Sequence, residues 1–251
     1  MTRDVRCAVS LAFWLFFGLT SPLVLAVGFL VALQSAATDP DRRAVHAFIC
    51  RWTVLYLRVN PGWRIEVLGR EKLPEGPFVL VANHQSMADI LACMALQAQF
   101  KFVSKASMFR VPVVGWLMRL ARYVGVVRGR PRSMRRMMDD CRGWLGRGMP
   151  VLLFPEGTYS RGGKLLPFKR GPFRLAIDAK VPVVPLLLEG TTGLVAGDGP
   201  WLNPRCHIRV TVQDPIPAGE LGEDAGGLRD RVRARYEAWL QPGGGIERAE
   251  G

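Results

Sequence analysis

A histidine and an aspartate five residues apart, His84 and Asp89, carry the groups needed for general-base chemistry. An aspartate bonded to one imidazole nitrogen fixes the tautomer and leaves the other nitrogen to take a proton from a hydroxyl. The same residues also have a structural interpretation, because Ser86 and Asp89 fit a capping box that closes the first turn of a helix. The spacing alone is a weak signal, so the surrounding sequence has to decide.

That sequence predicts that both residues follow a buried strand. The run at 78–83 is short and apolar and comes after the turn-forming residues 74–77. Ser86 is the expected N-cap of the next helix, which puts Asp89 in its first turn. A second strand-like run, at 149–154, ends just before the string Pro-Glu-Gly-Thr. Loops beyond the carboxyl ends of strands form the ligand crevice of an open α/β sheet, so both strings are expected at one site.

Four ordered blocks resemble the lysophospholipid acyltransferase family, whose bacterial members include 1-acyl-sn-glycerol-3-phosphate acyltransferases. They are NHQSMAD at 83–89, YVGVVR at 123–128, FPEGTYS at 154–160 and VPVVPLLLEG at 181–190. The resemblance implies an α/β fold with a mixed sheet flanked by helices. It also implies that His84 is the general base and Asp89 its orienting partner, with no acyl-enzyme, no metal and no cofactor. The implied reaction moves a fatty acyl group from acyl-CoA or acyl carrier protein to the free hydroxyl of a lysophospholipid, giving phosphatidic acid.

The resemblance further implies a substrate site built from residues near the strand ends. Its members are Lys105, Arg128, Glu156, Gly157, Thr158, Arg161 and Lys169. Arg128 would supply positive charge for a phosphate, and backbone amides around Gly157 would stabilise the oxyanion.

One position departs from the family pattern. Tyr159 stands where the family usually has arginine, so a planar phosphate ligand is missing there. A lysolipid without a glycerol-phosphate head, such as a lyso-ornithine lipid, therefore stays open as an alternative acceptor.

Residues 7–38 contain no charged side chain, which predicts an N-terminal membrane anchor. Gly18 and Ser21-Pro22 in its middle favour two short helices that dip into the bilayer and return. A single kinked spanning helix is the alternative, because membrane helices tolerate proline. A cleaved signal peptide is disfavoured, since its apolar region is usually shorter. The predicted organisation is an anchor at 1–60, a catalytic domain at 61–241 and a flexible tail at 242–251.

Positive charge predicts where the anchor lies. The chain has 34 basic and 21 acidic residues, and basic residues flank the apolar run on both sides, which favours the cytoplasmic face of the inner (plasma) membrane. Nine arginines lie between residues 119 and 147. An anionic leaflet is their expected partner, with an acidic carrier protein or the phosphates of coenzyme A as alternatives; nucleic acid is not expected.

The remaining polar motifs predict structure more than chemistry. Five widely spaced cysteines without a CxxC pair indicate reduced thiols, not a disulfide framework or a zinc site. His46 and His207 are isolated and are expected to be structural or surface residues. The segment 228–240 has apolar residues at helical spacing and is expected to pack against the domain. Two other classes use the same residues: a thioesterase with water as acceptor, and a membrane-tethered lipid-binding protein.

Overall fold

The computed structural model describes residues 3–160, 164–196 and 199–241. Its strands are β1 (Trp63–Leu68), β2 (Val79–Ala82), β3 (Lys101–Lys105), β4 (Val124–Val126), β5 (Val151–Leu153), β6 (Val183–Glu189) and β7 (Cys206–Val212). Its α-helices are α1 (Arg3–Gln34), α2 (Arg43–Val59), α3 (Asp89–Met94), α4 (Val114–Leu120), α5 (Pro131–Gly146), α6 (Gly171–Ala179) and α7 (Ala225–Leu240).

The seven strands form one mixed sheet in the order β1-β7-β6-β2-β5-β3-β4. The five strands from β6 to β4 are parallel, β7 is antiparallel to β6, and β1 is parallel to β7. The predicted α/β fold with a mixed sheet is confirmed. Because β2, β5, β3 and β4 run in one direction, the residues that follow them meet at one edge of the sheet.

Side chains alternate along β2 between two core layers. Leu80 and Ala82 belong to the layer that includes buried residues of α2, α3 and α4. Val79 and Val81 belong to the layer beneath α5, α6 and α7. Both faces of the central strands are therefore covered, which explains why their sequences are continuously apolar and not alternating.

The C-terminal helix α7 packs on the second layer, as its spacing predicts. Asp224 caps its start by accepting the N–H groups of two glycines at 2.8 Å. On its inner face, the Tyr236 hydroxyl donates to the carbonyl of Val81 at 2.6 Å and accepts the N–H of Leu186 at 2.9 Å. This buried hydroxyl joins α7 to the two strands next to the site.

Helix α1 is continuous, so the predicted break at Gly18–Pro22 is wrong. Pro22 has no N–H for the carbonyl of Gly18, but the hydroxyl of Ser21 donates to that carbonyl at 3.3 Å. Backbone groups freed by a proline are thus satisfied locally, as in other apolar helices. By length and composition the helix is sufficient to cross a membrane.

Helix α1 nevertheless lies along the domain. Ser10 near its start accepts the N–H of Leu202 at 2.8 Å, and Ala32 near its end is buried in the core. Its opposite face exposes large apolar side chains, namely Leu11, Leu15, Leu19, Leu23, Phe29, Leu30 and Leu33. The helix therefore divides into a face that packs on protein and an apolar face that is open to the surroundings.

His46 in α2 is structural, as its isolation predicts. The ring is fully buried, with Nδ1 2.7 Å from the hydroxyl of Tyr123 and Nε2 2.9 Å from the carbonyl of Ala98. Burial lowers the pKa of His46 to about 4, from an ordinary value of 6.5.

This depressed pKa predicts a loss of stability in acid. The unfolded chain takes up a proton at His46 below pH 6.5, whereas the folded protein resists it down to about pH 4. The free energy of unfolding should therefore fall by up to about 3 kcal/mol across this window. Denaturant unfolding of the parent and of His46→Gln across the same pH range isolates the effect. Parallel pH profiles for the two proteins would contradict it.

Candidate active site

The site begins where the chain leaves β2. Asn83 continues the ladder with β6 through its side chain, which donates to the carbonyl of Leu188 at 2.9 Å and accepts the N–H of the same residue at 2.8 Å. The Asn83 side chain thus makes the two hydrogen bonds that a backbone residue of a neighbouring strand would make at the end of β2. It fixes the position from which His84 projects, and nothing in the local sequence indicates it.

His84 and Asp89 form a buried pair. Nδ1 of His84 lies 2.7 Å from Oδ2 of Asp89, and the carboxylate is fully buried. The same oxygen accepts the N–H groups of Gln85 at 2.6 Å and Ser86 at 2.8 Å. Three donors therefore hold one oxygen, and because this oxygen accepts, Nδ1 of His84 is the nitrogen that donates to it. The aspartate orients the imidazole and shapes the loop at the same time.

The helix after this loop starts later than its sequence predicts. Its first residue is Asp89, and Ala88 occupies the N-cap position without a side-chain cap. Ser86, the predicted cap, instead accepts the N–H of Ala88 at 3.2 Å within the turn. The physical reason is that Asp89 reaches back to the N–H groups of the preceding loop and holds residues 85–88 outside the helix.

Aromatic rings hold the imidazole of His84 from two sides. The ring of Phe154 stacks on it with centroids 4.1 Å apart and planes 21° apart. The ring of Tyr159 meets it edge-on at 5.6 Å. His84 is only 8% exposed, and its Nε2 has no hydrogen-bond partner within the described ranges. This nitrogen is thus the one available to accept a proton from a bound hydroxyl.

Glu156 connects the two loops of the site. Its Oε1 accepts the backbone N–H of His84 at 2.7 Å, and its Oε2 accepts that of Leu166 at 2.8 Å. The side chain is almost completely buried, and this burial raises the pKa of Glu156. Since both oxygens are occupied by backbone donors, Glu156 acts on the site by positioning His84. Its predicted role in shaping the acceptor site stays a prediction.

Gly157 has the left-handed conformation that favours glycine, with φ of 73°. A Cβ there would lie 2.5 Å from Nζ of Lys169, so the lysine side chain passes directly over this residue. The N–H of Gly157 donates to the carbonyl of Phe154 at 3.0 Å, which removes it as an oxyanion donor. The amides of Thr158 and Tyr159, which have no acceptor among the described residues, replace it as candidates.

The predicted cations lie along the same sheet edge. Lys105 ends β3 and is level with Val126, just before Arg128; both cations are exposed. Lys105 is on the second strand from β2 and Arg128 follows the third. At about 4.8 Å per strand, the two residues therefore lie roughly 10 and 14 Å across the sheet from His84. Neither forms an ion pair within residues 3–160, 164–196 and 199–241. Arg161 lies outside the described residues, as does the predicted tail at 242–251.

The remaining candidate ligands are His207 and the cysteines. His207 is on the surface, 3.6 Å from Glu66. All five cysteines are free, and four of them are buried. In the part of the chain that the structure describes, no three His, Cys, Asp or Glu side chains gather as a metal site would require.

Comparison with known proteins places this geometry in a family. A family model described as Acyltransferase matches residues 64–189. A 1-acyl-sn-glycerol-3-phosphate acyltransferase of Pseudomonas aeruginosa is 33% identical over 206 residues, which are 79% of this chain and 77% of that protein. One of Chlamydomonas reinhardtii is 36% identical over 229 residues, which are 90% of this chain and 67% of the relative.

This chain spans only part of the length of some relatives. A chloroplast protein of the same description from Brassica napus is 36% identical, and the match spans 78% of this chain but 56% of that protein. The crystal structure of a 1-acyl-sn-glycerophosphate acyltransferase from Thermotoga maritima shares the fold, with a TM-score of 0.76 at 24% identity over 93% of this chain and 94% of its own. The sequence identities and the family model agree with the His84–Asp89 geometry, and this chain belongs to the acyltransferase family.

Proposed function

We propose that this protein transfers a fatty acyl group from an acyl thioester to the free hydroxyl of 1-acylglycerol-3-phosphate, giving phosphatidic acid. The observation that carries the proposal is the 2.7 Å contact between His84 and Asp89, which leaves Nε2 without a partner among the described residues. The names of the relatives support the acceptor, since they are 1-acyl-sn-glycerol-3-phosphate acyltransferases.

The reaction needs one base and no covalent intermediate. Nε2 of His84 takes the proton of the acceptor hydroxyl while its oxygen attacks the thioester carbonyl carbon. Asp89 stabilises the imidazolium that forms, because its carboxylate faces Nδ1 at 2.7 Å. The tetrahedral oxyanion collapses, the C–S bond breaks, and the thiolate leaves with the proton from Nε2. The amides of Thr158 and Tyr159 are the donors that we assign to the oxyanion.

Arg128 is the cation that we assign to the acceptor phosphate. It is exposed at the edge that follows β4, and it has no acidic partner within the described ranges. Tyr159 supplies a hydroxyl and an aromatic wall beside His84 where relatives of this family usually have a guanidinium. The phosphate therefore depends on Arg128, Lys105 and Lys169.

We expect Arg128→Ala to raise the KM for 1-acylglycerol-3-phosphate by about 10-fold, because one charge-assisted contact is worth about 1.5 kcal/mol or more. Tyr159→Arg should lower this KM or leave it unchanged, since it adds a cation near the same anion. A lyso-ornithine lipid, without a phosphate, is the control acceptor and should be insensitive to Arg128→Ala. If the parent prefers that lipid, the acceptor assignment fails and acyl transfer stands.

The donor side of the site is also basic. Arg130, Arg132, Arg135 and Arg136 lie at the start of α5, all are exposed, and none forms an ion pair in the described part of the chain. Helix α5 covers the sheet face opposite α1 and α2, so these four arginines do not lie beside the anchor, whereas Arg119 of the same predicted patch is in α4, which packs against α1. We therefore assign the four arginines of α5 to an acidic acyl carrier protein or the phosphates of coenzyme A, and not to the leaflet.

The membrane partner contacts α1. Because one side of this helix packs on the domain from Ser10 to Ala32, the helix does not cross the bilayer free of protein. Its exposed leucines instead suit insertion into one leaflet, with the helix lying near the membrane plane. The basic residues on both flanks favour the cytoplasmic face of the inner membrane.

We expect the triple variant Leu15→Gln/Leu19→Gln/Leu23→Gln to bind vesicles at least about 100-fold more weakly, because each buried leucine contributes about 1.5 kcal/mol or more. All three side chains are exposed, so the melting temperature should change little. Leu68→Gln, at an exposed leucine of β1, is the control. Vesicle binding of the triple variant equal to that of Leu68→Gln would show that the contact lies elsewhere.

The overall proposal is tested by incubating the protein with acyl-CoA or acyl carrier protein, with and without 1-acylglycerol-3-phosphate. Release of thiol that depends on the acceptor, together with phosphatidic acid detected by mass spectrometry, supports acyl transfer. Release without the acceptor would indicate a thioesterase, and no release would indicate a lipid-binding protein.

A further inference from the structure

Helix α2 lies beside α1 and has an exposed stripe of its own. Arg51, Leu55 and Arg58 follow one another at intervals of four and three residues, which places them on one side of an α-helix, and all three are exposed. Leu55 is 46% exposed although it is apolar. These three residues, the α2 stripe, present a basic, an apolar and a basic side chain over about 10 Å of helix.

The other sides of α2 pack on protein. Cys50 and Leu57 are buried in the core layer that covers the sheet. Phe48 and Tyr56 face α1, and the hydroxyl of Tyr56 lies 2.9 Å from that of Thr20. At about 100° per residue, the α2 stripe lies about 90° from the side that touches α1 and about 120° from the side that touches the core. The stripe therefore points away from the sheet and borders α1.

Two contacts fix the level of the α2 stripe along α1. Phe48 lies 3.1 Å from the position that a Cβ atom would take at Gly28, and Tyr56 meets Thr20. The helices are thus antiparallel, and at equal rise per residue the stripe is level with about residues 18–25 of α1. The exposed leucines of that stretch are Leu19 and Leu23. The arginines of α2 therefore flank leucines that we assign to the leaflet.

The positive charge of the α2 stripe is not neutralised by the protein. Helix α2 contains no acidic residue, and neither Arg51 nor Arg58 forms an ion pair with a described residue. Val59 adds a further exposed apolar side chain, at 39%. Arginines beside exposed apolar groups suit the membrane–water interface, because their stems lie along the apolar boundary while their charged ends reach the phosphates.

We propose, resting on the leaflet contact that we assign to α1, that Arg51 and Arg58 bind the phosphates of anionic phospholipids at the edge of that contact. The leucines of α1 enter the acyl region, Leu55 lies at its boundary, and the two guanidinium groups lie among the headgroups. Binding then depends on the charge of the leaflet as well as on the apolar surface of α1.

The test is binding of the full chain to vesicles, with no acyl donor present, so its result does not depend on acyl transfer. The parent is compared with Arg51→Gln/Arg58→Gln on phosphatidylcholine vesicles with and without phosphatidylglycerol. We expect the double variant to bind phosphatidylglycerol vesicles about 10- to 30-fold more weakly, since each basic residue near the surface contributes about 1 kcal/mol. It should bind pure phosphatidylcholine vesicles as the parent does.

Arg132→Gln/Arg136→Gln is the matched control, because it removes the same charge from α5, on the opposite face of the sheet. A loss as large as that of the α2 variant would mean that net charge determines binding, and it would overturn the assignment of Arg51 and Arg58. All four arginines are exposed, so the melting temperatures of both variants should stay close to that of the parent.

The triple leucine variant distinguishes failure of this assignment from failure of the α1 contact. If it binds phosphatidylglycerol vesicles as Leu68→Gln does, the leaflet contact of α1 is wrong, and the assignment of Arg51 and Arg58 falls with it. If the leucine variant is impaired and Arg51→Gln/Arg58→Gln binds as the parent does, the α1 contact stands and only the assignment of the two arginines is overturned.

Discussion

His84→Ala is expected to lower kcat/KM for acyl transfer by at least about 10² to 10⁴. The substitution removes the imidazole nitrogen that we assign as the base. It should leave the loop in place, because the carboxylate of Asp89 still accepts the N–H groups of Gln85 and Ser86. The backbone N–H of residue 84 likewise still donates to Glu156.

The measurement is steady-state acyl transfer together with melting temperature and vesicle binding. His84→Asn is the companion variant, since it keeps a polar side chain of similar size without a basic nitrogen. Both variants should be inactive, folded and bound to vesicles. Activity above about a tenth of the parent in either one would be too high for loss of a general base and would remove His84 from the mechanism.

Strand patterns predicted where the site lies. The apolar runs at 78–83 and 149–154 form β2 and β5, which are neighbours in the sheet, so the two polar strings that follow them do meet. Short β-branched runs bounded by turn residues are a strong signal for buried parallel strands. The position of His84 at a strand end, and the sheet edge at which the two strings meet, thus follow from local sequence.

Contacts within the site depend on neighbours that the local sequence does not reveal. The stacking of Phe154 on His84 and the pairing of Asn83 with Leu188 both require knowledge of strand order. Glu156 was expected to shape the acceptor site, and the sequence does not show that it bonds backbone N–H groups of both loops and so positions His84. Such roles follow from three-dimensional proximity, not from residue type.

The two helix errors have a common physical cause, which is competition for backbone hydrogen bonds by polar side chains. Ser21 satisfies the carbonyl that Pro22 leaves free, so α1 continues through a predicted break. Asp89 takes N–H groups from the loop before it, so α3 begins later than predicted. In both cases a serine or aspartate has several possible partners, and helix signals alone do not choose among them.

The sequence also does not reveal which face of the sheet each helix covers. From the sequence alone, the basic residues at 119–147 are expected beside the anchor, because both favour an anionic leaflet. In the fold, the crossover between parallel strands places α5 on the face opposite α1. Amphipathic spacing defines the buried side of a helix, but it does not define the sheet face against which that side packs.

Asp89→Asn is expected to lower kcat by about 10² or more while reducing the free energy of unfolding by only about 1–3 kcal/mol. An asparagine oxygen at the position of Oδ2 can still accept from His84, Gln85 and Ser86. Its amide would take the position of Oδ1, a buried atom without a hydrogen-bond partner among the described residues. The loop is then retained, and the variant mainly removes the negative charge that stabilises the imidazolium.

This variant separates the catalytic interpretation of the pair from the capping one. Asp89→Ala is the structural control, because it leaves the N–H groups of Gln85 and Ser86 without their acceptor and should lower the melting temperature more. If Asp89 only holds the loop, activity should follow stability across parent, Asn and Ala. If it orients and stabilises the base, Asp89→Asn should be nearly as inactive as Asp89→Ala while melting close to the parent. An active, stable Asp89→Asn would leave His84 without the charged partner that the mechanism requires.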